Sequence, residues 1–239
     1  STFIVVNGKI VTDINLTEAL ETHRRTNALA TLVLQPNPAR ERFSIVETND
    51  GLITGFGGMP TKASDDAAEN QLHDEALIDE APLMFTGIHI LEPRIFDYIP
   101  RGVFSDTVTD VYVPAIARGE RIAAHIARGM WHELSTIPRY LEINLALMAA
   151  EGRDVELGEN SYISSEADVR QAILWDDVTV EAGARVRRAI LADGVRIRAG
   201  ETIENAAVVR AELVRGETPP PKALTGSFSG DNFVVPLPR

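Results

Sequence analysis

The sequence has no cysteine among its 239 residues. A disulfide framework, a thiolate metal site and a cysteine nucleophile are therefore all excluded. Disulfides persist mainly in oxidising compartments, so a chain without cysteine fits a reducing one, and we expect a cytoplasmic location.

Positive charge and long apolar runs are also scarce. The chain carries 23 Lys and Arg against 35 Asp and Glu, which gives a net charge of −12. An acidic chain repels phosphate backbones and anionic lipid headgroups, so binding to nucleic acid or to a membrane surface is not expected. No apolar stretch approaches the length of a membrane span, and no cleavable signal peptide is recognisable. A local group of backbone N–H donors could still bind a small anion.

The first part of the chain indicates an α/β domain. The β-branched run at residues 3–6 predicts a fully buried strand. A helix follows, with Asn15 or Thr17 as its N-cap, and "ALATLVLQP" then predicts a second buried strand that ends at Pro36. A strand, a helix and a strand within about thirty residues predict a βαβ unit, and hence a parallel sheet.

Further elements continue to residue 150. Residues 43–56 predict two short strands around a turn at Asp50-Gly51, a pair typical of hairpins. The segment Asp65–Glu80 holds seven acidic residues and no Lys or Arg, which indicates a solvated loop. Beyond it we predict a buried strand at 82–91, a short helix, a helix at "TVTDVYVPAIARG" capped by Ser105-Asp106, a strand at "IAAHIARGMW" and a long helix that begins near Pro138.

The last third of the chain contains an internal repeat. Residues 172–188 and 189–205 align without a gap at a period of 17, and two coils are clear. Three short strands per coil, each with one inward-facing aliphatic residue, fit a hexapeptide β-helix. After residue 211 the chain has three consecutive prolines and then apolar residues that we expect to dock. The predicted inward positions of the coils are Ile163, Val169, Val180, Val186, Ile197 and Ile203.

Three segments and the β-helix together resemble one known family. The segments are "VVNGKIVTDINL", "PLMFTGIHILEPRIFDYIP" and "GMWHELSTIPRYLEINLALM". The chain resembles the sugar-1-phosphate nucleotidyltransferases, most closely their mannose-1-phosphate guanylyltransferase-like group. The resemblance implies the C-terminal part of a Rossmann-like (GT-A-like) α/β domain at 1–150. It also implies a short left-handed parallel β-helix of hexapeptide repeats at 151–210 and a proline-containing tail at 211–239.

The resemblance also implies a reaction and a metal ion. Members of the family condense a nucleoside triphosphate with a sugar 1-phosphate, and they release pyrophosphate with the help of Mg²⁺. Two carboxylates hold the ion in the family, one in V-N-G-D and one in W-x-D-x-G-T-P. This sequence has Lys9 at the first position and Glu133 at the second. Lys9 and Glu133 are thus the implied catalytic residues, and Glu133 is the implied metal ligand.

Lys9 leaves three interpretations open. An ammonium group cannot ligate Mg²⁺ and repels it. Lys9 could neutralise phosphate directly as a fixed cation, it could be a decayed position that only reaches solvent, or the register of the match could be shifted. Glu133 keeps a carboxylate on a longer side chain, and a salt bridge between Lys9 and Glu133 could replace the metal. Asp13, which follows Lys9 in the next loop, is interpreted as a turn or capping residue.

The resemblance further implies substrate-binding residues. These are Asn7 and Gly8 in the first turn, Thr86 and Gly87 in a strand, and Trp131. The backbone of Gly87 could approach a sugar, or the glycine could simply relieve crowding within a buried strand. Trp131 is expected to lie partly in the core and partly under the sugar. Where the family has a Glu-Lys-Pro that grips the sugar phosphate, this chain has Gly-Met-Pro at 58–60.

Two functions follow from these departures. The first is a working sugar-1-phosphate nucleotidyltransferase whose nucleotide-binding half is missing from this chain. The family's Gly-rich, basic nucleotide-binding loop has no counterpart here and would precede residue 1. We therefore expect a separate N-terminal fragment or a partner subunit to supply it, and this chain alone to be inactive. The alternative is a catalytically degenerate subunit that binds a nucleotide sugar or regulates an enzyme partner. The expected ligands are a nucleotide and a sugar 1-phosphate, and the β-helix favours a homo-oligomer.

Overall fold

A computed structural model describes residues 1–38, 41, 43–58 and 81–238. The chain divides into two compact units, one at Ser1–His132 and one from Glu133 onward. The predicted acidic loop at Asp65–Glu80 lies outside the described residues, and so do Met59 and Pro60.

The first unit is built mainly of strands. In chain order up to the boundary, its elements are β1 (Phe3–Val6), β2 (Ile10–Thr12), α1 (Leu16–Thr26), β3 (Ala30–Pro36), β4 (Val46–Asn49), β5 (Leu52–Phe56), β6 (Leu83–Leu91), a 3₁₀ helix (Pro93–Asp97), a π-helical turn (Thr107–Tyr112), α2 (Val113–Ala117), β7 (Ile122–Ile126) and β8 (Trp131–Glu133).

The main sheet of the first unit is mixed rather than parallel. Its strand order is β1-β6-β3-β7-β5-β4. β1 and β3 run in the same direction, as a βαβ unit requires, but β6 lies between them and is antiparallel to both. Only β3 and β7 form a parallel pair in the described part of this sheet. The prediction of a parallel sheet was therefore wrong, because a strand from much later in the chain inserts between the two ends of the βαβ unit.

The burial predicted for β1 is also wrong. Ile4, Val5 and Val6 are 39%, 37% and 44% exposed. β1 is the edge strand of the sheet, and its β-branched run is covered less than that of the central strand β3, in which residues 30–34 are all buried. A continuous apolar run indicates a strand but does not say where that strand lies in its sheet.

Local signals in the first unit are confirmed. Asn15 caps α1, because its side chain accepts a hydrogen bond from Thr17 N and its amide donates to Glu18 Oε1. The β4–β5 hairpin turns at Asp50 and Gly51, which have φ values of 49° and 73°. These left-handed conformations are the ones a two-residue hairpin turn demands.

The second unit consists of one long helix and the β-helix. None of the helices in the described ranges is long and apolar enough to cross a membrane. The elements of this unit are α3 (Ile137–Ala150), β9 (Val155–Leu157), β10 (Tyr162–Ile163), β11 (Asp168–Leu174), β12 (Thr179–Val180), β13 (Arg185–Leu191), β14 (Arg196–Ile197), β15 (Thr202–Arg210), a 3₁₀ helix (Ala211–Leu213), β16 (Ser227–Ser229) and β17 (Asn232–Pro236).

The β-helix follows the repeat period of the sequence. Its strands stack in parallel as β9-β11-β13-β15 and β10-β12-β14, and the two members of every pair are separated by one full period of the repeat. About three turns are present, one more than the two that are clear from the sequence. The predicted inward residues stack as Ile163, Val180 and Ile197 on one side and Val169, Val186 and Ile203 on another.

Two elements cover the β-helix. Leu141 and Met148 of α3 pack against Ile173, Ile190 and Ala207. α3, which the sequence analysis assigned to the first domain, therefore belongs to the second compact unit. At the C-terminal side, β17 pairs antiparallel with β15, and β16 pairs with β17. The apolar end of the chain thus docks on the β-helix as predicted.

Candidate functional site

The turn between β1 and β2 carries three of the predicted site residues. Asn7, Gly8 and Lys9 are all exposed there. The backbone N–H of Asn7 donates to Gly87 O at 3.0 Å, which ties the end of β1 to the middle of β6. Asn7 and Gly87, predicted from two segments that are far apart in the sequence, are therefore neighbours in the structure.

Gly87 is constrained by both its backbone and its surroundings. Its φ is +80°, in the left-handed region that favours glycine. A Cβ at this position would lie 2.8 Å from Asn7 Cγ and closer still to Asn7 Nδ2. Of the two interpretations left open by the sequence, crowding is thus directly observed, and the group that crowds Gly87 is the side chain of another predicted site residue.

Trp131 is fixed by a hydrogen bond to the same segment. Its indole Nε1 donates to Thr86 O at 2.9 Å, and its ring makes an edge contact with Phe43 at a centroid distance of 5.4 Å. The hydroxyl of Thr86 is buried and donates to Val33 O, so it serves the sheet and is not available to a ligand. Asn7, Thr86, Gly87 and Trp131 together form what we call the Asn7–Trp131 cluster.

Asp13 positions the chain that precedes Trp131. Asp13 Oδ1 accepts a hydrogen bond from Met130 N at 2.6 Å, while Asp13 N and the Thr12 hydroxyl both donate to Met130 O. Gly129 makes room for this contact, because a Cβ there would lie 2.5 Å from Asp13 Oδ1. Asp13 is thus a structural residue of the site, and it joins two segments instead of capping α1.

A groove of about 470 Å³ lies next to the cluster. Phe43 connects the two, since it lines the groove and also contacts Trp131. Polar groups in the groove include Ser44 and Asp106. Asp106 caps the π-helical turn, and the hydrogen bonds from Thr109 N and Val108 N hold the pKa of its carboxyl below the usual range. We call it the phenylalanine groove, because Phe43, Phe56 and Phe85 all line it.

A buried pair supports the aromatic wall of the groove. His89 Nδ1 and the Tyr112 hydroxyl are 2.5 Å apart, and each ring also contacts one of the groove residues, Phe85 or Phe56. Burial lowers the pKa of His89 to about 4 and raises that of Tyr112. Both residues are therefore neutral at neutral pH, and they hold the aromatic wall in place.

Glu133 is held by residues of its own loop. Ser135 Oγ donates to Glu133 Oε2 at 2.5 Å, and Arg139 Nε donates to the Glu133 carbonyl at 3.0 Å while lying 3.8 Å from Oε2. Glu133 belongs to the second compact unit and Lys9 to the first. Their salt bridge stays a prediction from the sequence.

The described residues do not fit a Mg²⁺ site. Lys9 is cationic, the Asp13 carboxylate holds Met130, and the Glu133 carboxylate receives Ser135 and faces a guanidinium. Within the described ranges, no group of three or more His, Asp or Glu side chains could hold a metal ion. Hard divalent cations require several oxygen ligands, which these side chains do not supply together.

Comparison with known proteins agrees with this architecture. Residues 1–150 match the sequence profile of the family described as "Nucleotidyl transferase". The chain belongs to this family. Residues 146–211 also match the profile "GlmU-like, C-terminal hexapeptide", which fits the β-helix of the second unit.

A curated relative is similar over most of this chain. It is the UTP--glucose-1-phosphate uridylyltransferase of Synechocystis sp., 27% identical over 183 residues. The match covers 75% of this chain and 44% of the relative. The chain thus corresponds to less than half the length of that protein.

Sequence reasoning missed the aromatic part of the site. Phe43, Phe56 and Phe85 come from three segments, and nothing in their spacing indicates that they line one groove. Asp106 was predicted only as a helix cap, which it is. The one available signal was Phe85, next to Thr86-Gly87. Residues two apart on a strand share a face, so Phe85 is expected on the same face as Gly87.

Proposed function

We propose that this chain forms the sugar-phosphate side of a sugar-1-phosphate nucleotidyltransferase. The activity is transfer of a nucleoside monophosphate from a nucleoside triphosphate to a sugar 1-phosphate. Family membership supports this, and one observation carries it: the Asn7–Trp131 cluster assembles from three distant segments, beside a groove of a size that suits a small ligand.

The reaction needs positioning and charge more than covalent participation of the protein. An oxygen of the sugar 1-phosphate attacks the α-phosphorus of the nucleotide, and the bond to the pyrophosphate leaving group breaks as the new P–O bond forms. Negative charge on the transferred group has to be neutralised by cations and N–H donors. In the proposal Lys9 supplies one such cation, and the turn around Gly8 brings backbone close to the phosphate.

The phenylalanine groove is the proposed place of the sugar ring. Aromatic faces pack against the apolar C–H surfaces of a sugar, while a few polar groups fix its orientation. Here Phe43, Phe56 and Phe85 would supply the faces, and Ser44 and Asp106 would bond to hydroxyl groups. Asp106 already accepts two backbone N–H donors through Oδ1, so its Oδ2 is the atom proposed to accept from the sugar.

A second candidate function is binding without turnover. It is favoured by the cation at Lys9 together with the engagement of Asp13 and Glu133 in hydrogen bonds within the protein. Such a chain would bind a nucleotide sugar, or regulate a catalytic partner as a subunit of an oligomer. The proposed partners are therefore a further protein segment or subunit and additional copies of this chain.

Two pairs of a nucleoside triphosphate and a sugar 1-phosphate are candidate substrates. The sequence resembles enzymes that use GTP and mannose 1-phosphate, whereas the curated relative is named for UTP and glucose 1-phosphate. We propose mannose 1-phosphate and GTP on the first ground and treat the second pair as the competitor.

The test measures turnover and binding on the same protein. Pyrophosphate release would be followed with Mg²⁺ and each combination of the two nucleotides and two sugar phosphates, and calorimetry would measure sugar 1-phosphate binding. Lys9→Ala should weaken that binding by about tenfold, because it removes a charge-assisted hydrogen bond. Lys222→Ala is the matched control and should bind normally.

Each outcome separates the candidates. Turnover that depends on Lys9 supports the enzyme. Binding without turnover supports the second candidate only when the segment or subunit that supplies the nucleotide-binding loop is present, because this chain alone is expected to be inactive under both. If Lys9→Asp gains activity with Mg²⁺, the lysine has replaced a metal ligand. Absence of both turnover and binding with every combination would reject both functions.

A further inference from the structure

The last coil of the β-helix carries a second groove, far in sequence from the predicted site. Its volume is about 440 Å³, within the range of small-molecule sites. A smaller depression of about 320 Å³ shares Arg196 and Asp231 with it and adds Glu181 and Arg198. We call the larger one the arginine groove. Its lining residues are Gly194, Arg196, Arg210, Ala211, Glu212, Arg215, Asp231 and Asn232.

Positive charge exceeds negative charge in this groove, although the chain as a whole is acidic. Three guanidinium groups face the two carboxylates of Glu212 and Asp231. Two of these charges are paired with residues outside the groove: Arg196 with Glu181, and Asp231 with Arg198. Inside the groove, Arg210 pairs with Glu212. One guanidinium among these described residues, that of Arg215, is therefore left over, on a chain with a net charge of −12.

Arg215 carries the least compensated of these charges. No described carboxylate lies within ion-pair distance of it, and its guanidinium stands over the ring of Phe228 at 5.4 Å from the centroid. Stacking on an aromatic ring orients a guanidinium and leaves its N–H donors at the ring's edge for other acceptors. Arg215 is exposed, so those donors are accessible.

Arg210, which lines the same groove as Arg215, has an unmet donor. Its Nη1 pairs with Glu212, but its Nε is buried and has no acceptor in the described part of the chain. The side chain passes over Gly194, where a Cβ would lie 3.1 Å from Arg210 Cδ and 3.3 Å from Nε. A buried donor without a partner is costly, and an incoming anion that draws Arg210 away from Glu212 would relieve it.

We propose that the arginine groove binds the phosphate group of a small phosphorylated metabolite, held between Arg210 and Arg215. Guanidinium groups bind phosphate through paired N–H donors, and Arg210 and Arg215 both line this groove. Glu212 competes with the ligand for Arg210. The proposal rests on the second compact unit alone and does not depend on the function proposed above.

Calorimetric titration with inorganic phosphate at constant ionic strength tests this site. Titrations would use the Lys9→Ala background, so that phosphate bound at the predicted active site contributes less to the signal. Arg215→Ala and Arg210→Ala should each weaken phosphate binding by about tenfold. Glu212→Gln should strengthen it, because a competing carboxylate is removed. Arg210→Lys repeats the test with the packing stem retained, in case Arg210→Ala fails to fold.

The matched control is Arg185→Ala, an exposed arginine of the same β-helix outside the groove. It should bind phosphate as the background does. The proposal is overturned if the background binds no phosphate, if the two groove variants bind it unchanged, or if Arg185→Ala loses as much affinity as they do.

Discussion

Two glycines at the Asn7–Trp131 cluster differ in how tightly the structure constrains them. Gly87 combines a φ of +80° with a would-be Cβ 2.8 Å from Asn7 Cγ. Gly8 has ordinary backbone geometry and nothing within 4 Å of its would-be Cβ. Glycine is therefore required at position 87 by the backbone conformation and the contact with Asn7, whereas position 8 can accept a larger residue.

We expect Gly87→Ala to destabilise the protein by about 1–2 kcal/mol, because an alanine in the left-handed region is strained and Asn7 has to move. Gly8→Ala, the matched control, should stay within about 0.5 kcal/mol of the wild type. Urea unfolding of the three proteins measures both effects. Equal losses in the two variants would contradict the assignment of strain to Gly87.

The sequence predicted the members of the cluster but not the contacts that hold them. Asn7, Thr86, Gly87 and Trp131 were identified from short motifs. The bond from Met130 N to Asp13 and the contact between Phe43 and Trp131 each join segments that are far apart along the chain. Pairings at such separations depend on how the sheet assembles, and no local pattern encodes them.

At the scale of elements, a repeat proved more informative than isolated strands. The period of the repeat predicted the parallel pairings from β10 to β15, because each coil stacks on a copy of itself. The additional pairing of β9 with β11 was not predicted. The position of β6 between β1 and β3 was not predictable, since hydrophobicity and propensity identify a strand without giving its neighbours. The burial of β1 was misjudged for the same reason.

The corners of the β-helix offer a test at this scale. Gln171, Arg188 and Asn205 occupy equivalent positions in successive coils, with φ values of 49°, 50° and 47°. Gln171→Val should destabilise by about 1–2 kcal/mol, because a β-branched residue is strained in the left-handed region. Glu204→Val, at an exposed position with ordinary strand geometry, should cost under about 0.5 kcal/mol.

Thermal or chemical unfolding of the two valine variants gives the comparison. A loss at Glu204→Val as large as that at Gln171→Val would mean that exposed valine itself, and not the backbone conformation, is responsible. Gln171→Asn should instead stabilise the protein slightly, because asparagine tolerates the left-handed region best among the non-glycine residues.

At the scale of the whole molecule, α3 lies between two possible domain boundaries: the one before residue 133 in the structure and the one after residue 150 predicted from the sequence. Its residues Leu141 and Met148 cover Ile173, Ile190 and Ala207 of the β-helix. We expect residues 133–239 to unfold cooperatively as an isolated fragment. A fragment of 151–239 exposes that apolar surface to water. Its free energy of unfolding should be lower by several kcal/mol, because each Å² of buried apolar surface contributes about 25 cal/mol.

Circular dichroism and urea denaturation of the two fragments measure the difference. The shorter fragment is the control for the contribution of α3, because it retains all the strands of the β-helix. Equal stability of the two would contradict the placement of α3 in the second unit.

The pH dependence of stability should report the buried His89. Its pKa falls from 6.5 to about 4 on burial, so the unfolded chain binds a proton over this interval and the folded chain does not. The free energy of unfolding is therefore unaffected by the titration of His89 above the unfolded pKa of 6.5, and it decreases as the pH falls from 6.5 toward 4. Between about pH 7 and about pH 5 the loss should be about 2 kcal/mol.

Urea unfolding of the wild type and of His89→Gln at these two pH values isolates the effect, because all other titrating groups are shared. The wild type should lose about 2 kcal/mol more than the variant over the interval. Identical losses would mean that His89 is not kept neutral by the fold.

The constant register of the β-helix also limits how its length can change. Removal of one full repeat period from its middle would join each strand to a neighbour that presents the same inward positions, so the stack would close up one coil shorter. A deletion of only part of a period would instead bring polar residues into the apolar column. Growth and shrinkage of this part of the chain are therefore quantised, and length variants that fold should differ by whole coils.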